Sequence, residues 1–408
     1  MINSEKTRAF VRWPYLILGV VSMLFSGIIY AWSILKAPLS AEFGWTASQL
    51  SLNFTLTMCF FCLGGLAAGF ITKRVSPKLV MIVAAPVACC GFLLASRVTA
   101  DTLWLLYVGY GMIAGFGIGN AYNAIVSMTN RWYPDKKGVC SGALMMAFGV
   151  SSLLLGTLAD SLISNAAFGW RKTYIFLGVF LGAVLLLTGI LMKLPSSDTV
   201  FPDKKASAKK TTVAIGRNYT SGEMLRRVSF WKYCVFNILL AAVGSTMISC
   251  ARDISLSVGA SAALATTLVG VLAVCNGVGR IVCGFLFDTI GRRSTMRAAG
   301  CITIIAPTVT LLAVLFRSLP LCVAGMCLCG LSYGFAPTIG SAFVIEFYGV
   351  KNFATNFSIS NLTLIPASFV ATLSGSIVTA TGTYIYPFIL LIAFSIVSLL
   401  TNISITEP

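Results

Sequence analysis

The chain has 408 residues, of which 57% are hydrophobic and 10% charged, against roughly 45–50% and about 25% in an ordinary soluble domain. So apolar a composition leaves too few polar residues to cover water-soluble domains, whereas a lipid-facing exterior needs none. The net charge of +17, from 29 Lys and Arg against 12 Asp and Glu, would suggest nucleic acid if it were clustered, and its placement along the chain decides against that.

Twelve apolar stretches come near the roughly 20 residues that cross a bilayer as a helix. Spans 1 to 6 are predicted at about 14–36, 48–71, 77–97, 102–130, 138–163 and 170–193. Spans 7 to 12 follow at about 229–251, 260–287, 294–316, 319–345, 352–378 and 384–403. Residues 194–228 carry Lys204, Lys205, Lys209, Lys210, Arg217, Arg226 and Arg227, so this stretch reads as a solvated loop. The expected organisation is a six-helix bundle over 1–193, a cytoplasmic linker over 194–228 and a second six-helix bundle over 229–408. The residues before span 1 are short and polar and the apolar run after them is long enough to stay in the membrane, so no cleavable signal peptide is expected.

Sliding the sequence on itself by 215 positions places Gly69 on Gly284, Gly115 on Gly330, Gly119 on Gly334, Tyr133 on Tyr348 and Lys136 on Lys351. Each identity is weak alone in a chain with 37 glycines. Their common offset and matching places, at the ends of spans 2 and 8 and along spans 4 and 10, make a repeat. Six spans per half with both termini on one side means parallel repeats about an axis along the membrane normal, the plan of major facilitator transporters.

With the N-terminus inside, the cytoplasmic segments hold 22 Lys and Arg, and the outer loops hold six: Lys36, Arg97, Arg171, Lys172, Arg252 and Arg317. This positive-inside bias puts both termini in the cytoplasm of a cell-membrane protein. The excess charge then reports topology and contact with anionic headgroups of the lipid bilayer, with no nucleic-acid partner. One cation is left over. Arg280 lies in span 8, about 12 Å by helical rise from the cytoplasmic end at Asp288, where a charge costs at least roughly 2.5–3.5 kcal/mol. All twelve acids lie at span ends or in loops, so no intramembrane carboxylate is placed to pair with it. Arg280 is expected to face a watery central cavity with an anionic substrate as counter-ion, its planar fork suiting a carboxylate; ties to backbone carbonyls or snorkelling are the plainer alternative. Asn276 lies four residues earlier on the same helix face, placed either to orient the guanidinium or to bond the substrate. Tyr30, Tyr122 and Tyr333 lie inside spans 1, 4 and 10, and their hydroxyls need partners.

The glycines from Gly109 to Gly119 lack the preceding strand of a dinucleotide loop; Gly111, Gly115 and Gly119 at four-residue spacing let helices approach closely. The thirteen cysteines fall in or beside apolar runs and read as small core hydrophobes. There is no histidine, which removes His catalysis, His metal sites and a His proton relay together. No cofactor or metal is expected. After span 8, Gly284-Phe-Leu-Phe-Asp288-Thr-Ile-Gly291-Arg292-Arg293 places Asp288, Arg292 and Arg293 where a gate would latch by charge pairing. Its first-half counterpart has Lys73 in place of the acid and Ser76 in place of the second glycine.

These two loops resemble the major facilitator loop motif. Arg131-Trp-Tyr-Pro-Asp-Lys-Lys-Gly138 with Ser141-Gly142, and Ser221-Gly-Glu-Met-Leu-Arg226 leading to Phe230-Trp231, resemble the oxalate:formate antiporter family, which is similar to the monocarboxylate transporters. The resemblance implies an all-α membrane protein with the major facilitator fold, twelve transmembrane helices in two six-helix halves. It implies a central site in which Arg280 is the substrate-binding arginine, with Asn276 before it and Tyr30, Tyr122 and Tyr333 as aromatic positions around it. Three places depart from the family: Ser360 or Asn361 stands where the oxalate exchanger has a second cation on span 11, Cys329 replaces an aromatic on span 10, and Phe148 replaces a tyrosine on span 5. One cation balances one negative charge, and a dianion would leave roughly one charge unpaired in a low-dielectric cavity. The expected function is therefore alternating-access transport of a small monocarboxylate such as lactate, pyruvate or formate, by a monomer, as exchange or with protons as co-ion. Oxalate or dicarboxylate exchange and a non-transporting carboxylate sensor are the alternatives, and an enzyme is not expected because no nucleophile–base pair can be assembled.

Overall fold

In a computed structural model of the chain, residues 2–72, 74–133, 137–195, 218–349 and 351–407 are described, with the backbone alone for 2–11, 137–139, 141, 288 and 354. The motif residues Lys73 and Pro134 to Lys136, and residues 196–217 of the predicted linker, lie outside the described residues, as does the side chain of Asp288. All regular elements among the described residues are helical. Twelve helices are long and apolar enough to cross a membrane: Arg12–Phe43, Ala47–Ile71, Pro77–Ala95, Leu103–Trp132, Gly142–Ser164, Gly169–Leu191, Val228–Ser257, Ala262–Phe287, Thr289–Leu315, Leu319–Tyr348, Thr355–Thr381 and Ile385–Ile403. We number them spans 1 to 12. Even the shortest, at 19 residues, rises about 28 Å, close to the hydrocarbon thickness. Large apolar side chains such as Phe70, Trp104, Phe180, Phe285 and Leu400 are exposed, as a surface solvated by lipid tails requires.

Spans 1 and 7 run further than the sequence predicts, to Phe43 and Ser257. Lys36 is not a loop residue: it is buried inside span 1, and its Nζ lies 2.6 Å from the Asp253 carboxylate inside span 7. Arg252, also within span 7, lies 3.7 Å from Asp160 of span 5. Arg280 is thus not the sole cation held inside a span, nor are all the acids confined to span ends. A charge count treats such residues as loop markers, whereas each is neutralised by a partner on another helix.

The repeat is visible as matched packing. A Cβ on Gly115 would meet the Thr57 carbonyl, and one on Gly330 the Leu272 carbonyl; Gly119 faces Phe61 and Gly334 faces Asn276; Gly64 faces Phe116 and Gly279 faces Leu331. In each couple both the glycine and its neighbour are 215 positions apart. Span 4 therefore lies on span 2 as span 10 lies on span 8, backbone against backbone, which only residues without a side chain allow. The loops after spans 2 and 8 differ. Gly291 takes φ of 75°, a left-handed turn natural to glycine, whereas Ser76 has φ of −58° and caps span 3 by accepting from the Lys78 amide at 3.3 Å.

The end of the predicted linker is not simply solvated. Thr220 and Glu223 form a capping box on a short helix, Ser221–Leu225, and Met224 is fully buried. Tyr219 donates its amide to the Tyr348 carbonyl at 3.0 Å and its own carbonyl accepts from Asn352 and Asn356. Residues 218–225 are thus fastened to the turn between spans 10 and 11.

Candidate functional site

Span 1 is not uniformly α-helical: Gly27–Ala31 is a 3₁₀ turn and carries Tyr30. A Cβ on Gly27 would strike the Phe148 carbonyl, so spans 1 and 5 touch here, and the Tyr30 and Phe148 rings meet edge to face at 5.1 Å. Tyr122 of span 4 meets Phe148 at 5.4 Å and Phe61 of span 2 at 5.3 Å. Tyr333 of span 10 completes the group, 6.2 Å from Tyr30. The rings of Tyr30, Phe61, Tyr122 and Phe148 wall a cavity of about 90 Å³, lined also by Cys62, Gly65, Leu66, Asn123, Arg280, Ser358, Asn361 and Leu364. At about 30 Å³ per water that is room for roughly three waters, or a solute of a few heavy atoms.

Arg280 supplies the charge. Its Nε and Nη1 are buried and find no hydrogen-bond partner among the described residues, and no carboxylate there pairs with it. Tyr122 and Tyr333 are near enough to interact with the guanidinium charge. Gly65 holds the position in the first half that Arg280 holds in the second, 215 residues on, and both line the cavity. Asn276 sits one turn deeper, 0% exposed, with Nδ2 and Oδ1 both unpartnered among the described residues; it does not hydrogen-bond Arg280 in this conformation. Asn276 lies outside the lining of the cavity, and a buried amide with no hydrogen-bond partner is costly.

The structure brings Arg280, Tyr30, Tyr122, Phe148 and Asn361 to one cavity, with Tyr333 against it. Ser360 it places elsewhere: the side chain is buried, donates to the Phe357 carbonyl at 2.9 Å and neighbours Tyr233 of span 7. Consecutive helical residues point about 100° apart, so only one of Ser360 and Asn361 can face the cavity. In the conformation described, Arg292 and Arg293 do not latch one half to the other among the described residues. Arg292 is buried against Phe347, bonds Glu346 at 2.9 Å and approaches Glu407 at 3.8 Å, while Arg293 is exposed, 3.9 Å from Glu407. All these partners lie in the second half. Sequence reasoning does not single out Phe61, Asn123 or Ser358; for Phe61 a signal exists, since it occupies the repeat position of Asn276.

Through Leu66, Tyr122, Asn123, Ser358 and Asn361 the cavity continues into a vestibule of about 700 Å³ that reaches Thr72, Arg131 and Pro195 at the face where both chain ends lie. At the opposite face the halves are closed. The Ser48 and Ser376 hydroxyls bond at 2.8 Å, and the Ser48 amide donates to Thr379 at 3.2 Å. Thr55 meets Thr372 at 2.8 Å and Ser249 donates to Ser51 at 3.3 Å.

A twelve-helix membrane protein in two halves, with a polar cavity at their seam open to one face and shut to the other, has the architecture of a carrier. A profile of the Major Facilitator Superfamily matches residues 15–251, and the chain belongs to that superfamily. Among curated relatives, the uncharacterized MFS-type transporter YhjX of Escherichia coli is 26% identical over 353 residues, covering 85% of this chain and 83% of the relative. The oxalate:formate antiporter of Oxalobacter formigenes is 27% identical over 286 residues, covering 70% of this chain and 65% of that protein. Human monocarboxylate transporter 12 is 21% identical over 404 residues, covering 93% and 77%. Among solved structures, a point mutant of the nucleoside transporter NupG superposes with a TM-score of 0.72 at 14% identity, covering 96% of this chain and all of that one. An inward-facing, unoccupied bacterial homolog of the lysosomal transporter Spinster gives 0.71 at 16%, covering 96% of each. These likenesses establish the fold.

Proposed function

We propose that the protein carries a small monocarboxylate across the cell membrane by alternating access, with Arg280 pairing with the carboxylate. The observation that carries this reading is the Arg280 guanidinium, buried in a 90 Å³ cavity with Nε and Nη1 unpartnered among the described residues. A carboxylate accepts two parallel bonds from that fork and cancels its charge, and the cavity fits an anion of lactate, pyruvate or formate size. The aromatic wall takes the apolar end, while Asn123, Ser358 and Asn361 offer polar contacts toward the vestibule. The halves are assigned to 1–193 and 229–408, joined by 194–228, with both termini cytoplasmic because the cations concentrate on that face; the conformation described is then inward-open. Occupancy neutralises Arg280 and lowers the cost of closing the cavity, which favours exchange over movement of the empty carrier, and the protein transports without converting its substrate.

Uptake of labelled lactate, pyruvate and formate into proteoliposomes tests the reading, with Arg280→Gln as control. Saturable uptake that the substitution abolishes is the expected result; equal uptake by the variant refutes it. Asn361, sharing the cavity with Arg280, favours one second reading, exchange of a dicarboxylate whose far end meets Asn361 and the tyrosine hydroxyls. Stronger inhibition of uptake by oxalate than by lactate would select it.

A further inference from the structure

We propose that Arg252 and Asp253, neighbours of opposite sign on span 7, form with Asp160 and Lys36 a two-point clasp that is the carrier's gate on the face away from the chain ends. The inference rests on the carrier reading but is indifferent to which anion travels. Both pairs cross between the halves: Asp253 reaches Lys36 of span 1 at 2.6 Å, and Arg252 reaches Asp160 of span 5 at 3.7 Å. The two residues point about 100° apart on span 7, so turning the span until either met the other's partner would set like charges together, and the clasp fixes the rotation of the helix as well as closure.

Its burial makes it a two-state element. The Lys36 side chain is 4% exposed and that of Asp253 31%. A lysine so far from water is tolerable only while paired, and it regains its hydration when the seam opens. Attraction in the closed state is thus opposed by hydration in the open one, as a gate that must open every cycle requires. Among the described residues, the titratable side chains that interact with the pair include Cys250 and Tyr384, a thiol and a phenol that carry no charge at neutral pH. The rest of the seam consists of hydroxyl contacts such as Ser48 with Ser376. Among the described residues, no other ion pair joins the halves at this face, so the charge term across the seam resides in the clasp.

Cys250 is a native reporter. It is 8% exposed and lines, with Lys36, a cavity of only about 10 Å³, too small to admit a thiol reagent. The full chain in lipid nanodiscs is treated with a polar maleimide, and modification is followed peptide by peptide by mass spectrometry, Cys283 (0% exposed) reporting unfolding. Asp253→Asn, which strands the buried lysine, is expected to speed Cys250 labelling by about tenfold or more. Lys36→Ala, which strands the half-wet carboxylate, is expected to speed it less. The reversed pair, Lys36→Asp with Asp253→Lys, is expected to return it toward the parent rate, with Cys283 protected throughout. Unchanged Cys250 labelling in both single variants overturns the proposal, as does a reversed pair that labels as fast as the singles. Cys283 exposed together with Cys250 in every variant overturns it too, because the pair is then only a strut. No substrate enters the readout, so this test can fail while carboxylate uptake stands, and the reverse.

Discussion

Arg280→Gln should move binding and stability in opposite directions. Glutamine keeps most of the length and a donor but removes the charge and the fork. Two charge-assisted bonds of about 1.5–3 kcal/mol each are lost on binding, a total of about 3–6 kcal/mol, or roughly 10² to 10⁴-fold in affinity at 1.4 kcal/mol per decade. In the empty protein the guanidinium has Nε and Nη1 unpartnered among the described residues, and a cation at that depth costs at least about 2.5–3.5 kcal/mol. Water in the vestibule offsets part of this, leaving a gain of about 1–2 kcal/mol when the charge is removed. The variant should therefore melt about 1–4 °C higher while thermal stabilisation by added monocarboxylate disappears. Differential scanning fluorimetry with and without ligand, beside proteoliposome uptake, reads both quantities. A variant that melts lower than the parent, or takes up monocarboxylates within about threefold of it, refutes the argument.

Phe61→Ala removes one wall of the 90 Å³ cavity and should admit longer or branched monocarboxylates at a stability cost of about 2 kcal/mol, measured by competition against labelled substrate; unchanged selectivity counts against the cavity as the site. Gly334→Ala and Gly119→Ala press repeat-matched contacts, the Asn276 and Phe61 carbonyls, so both should lose about 1–3 kcal/mol in thermal unfolding. The Gly334 contact lies also against the Arg280 amide, at 3.0 Å, so that variant should bind monocarboxylates more weakly than the Gly119 one; equal affinities would contradict this. Arg292→Ala breaks a bond to Glu346 whose arginine end is 5% exposed and should lower stability by about 2 kcal/mol in thermal unfolding; a melting temperature equal to the parent's would contradict this.

Twelve spans and the repeat are legible in the sequence because membrane helices announce themselves by length and because glycine spacing survives where backbones touch. Arg280 is legible for the opposite reason to Lys36: no acid along the chain is placed to cancel it, so its cost stands out. Lys36 and Asp253 lie in different halves, and linear hydropathy cannot see that they cancel; it cuts spans 1 and 7 short at them. Ser360 and Asn361 are inseparable in sequence, since only the rotation of span 11 decides which one faces the cavity. In the conformation described Arg292 pairs within the second half, so a charge cluster at a helix end states that a partner exists without stating which half supplies it. For Asn276 the sequence offers two roles, orienting the guanidinium or bonding the substrate, and in the conformation described the structure gives it no bond to the guanidinium.

The repeat-matched glycine contacts also limit what can move. A helix seated on its neighbour's backbone at three successive points, as span 4 on span 2 and span 10 on span 8, can neither slide nor roll without collision. Each half is thereby stripped of internal degrees of freedom, and relative displacement is left to the seam between halves, where hydroxyls and ion pairs can be exchanged for water. In the proposed alternating-access cycle, stiffness inside the halves would turn local events at Arg280 and at the outer face into motion of whole bundles.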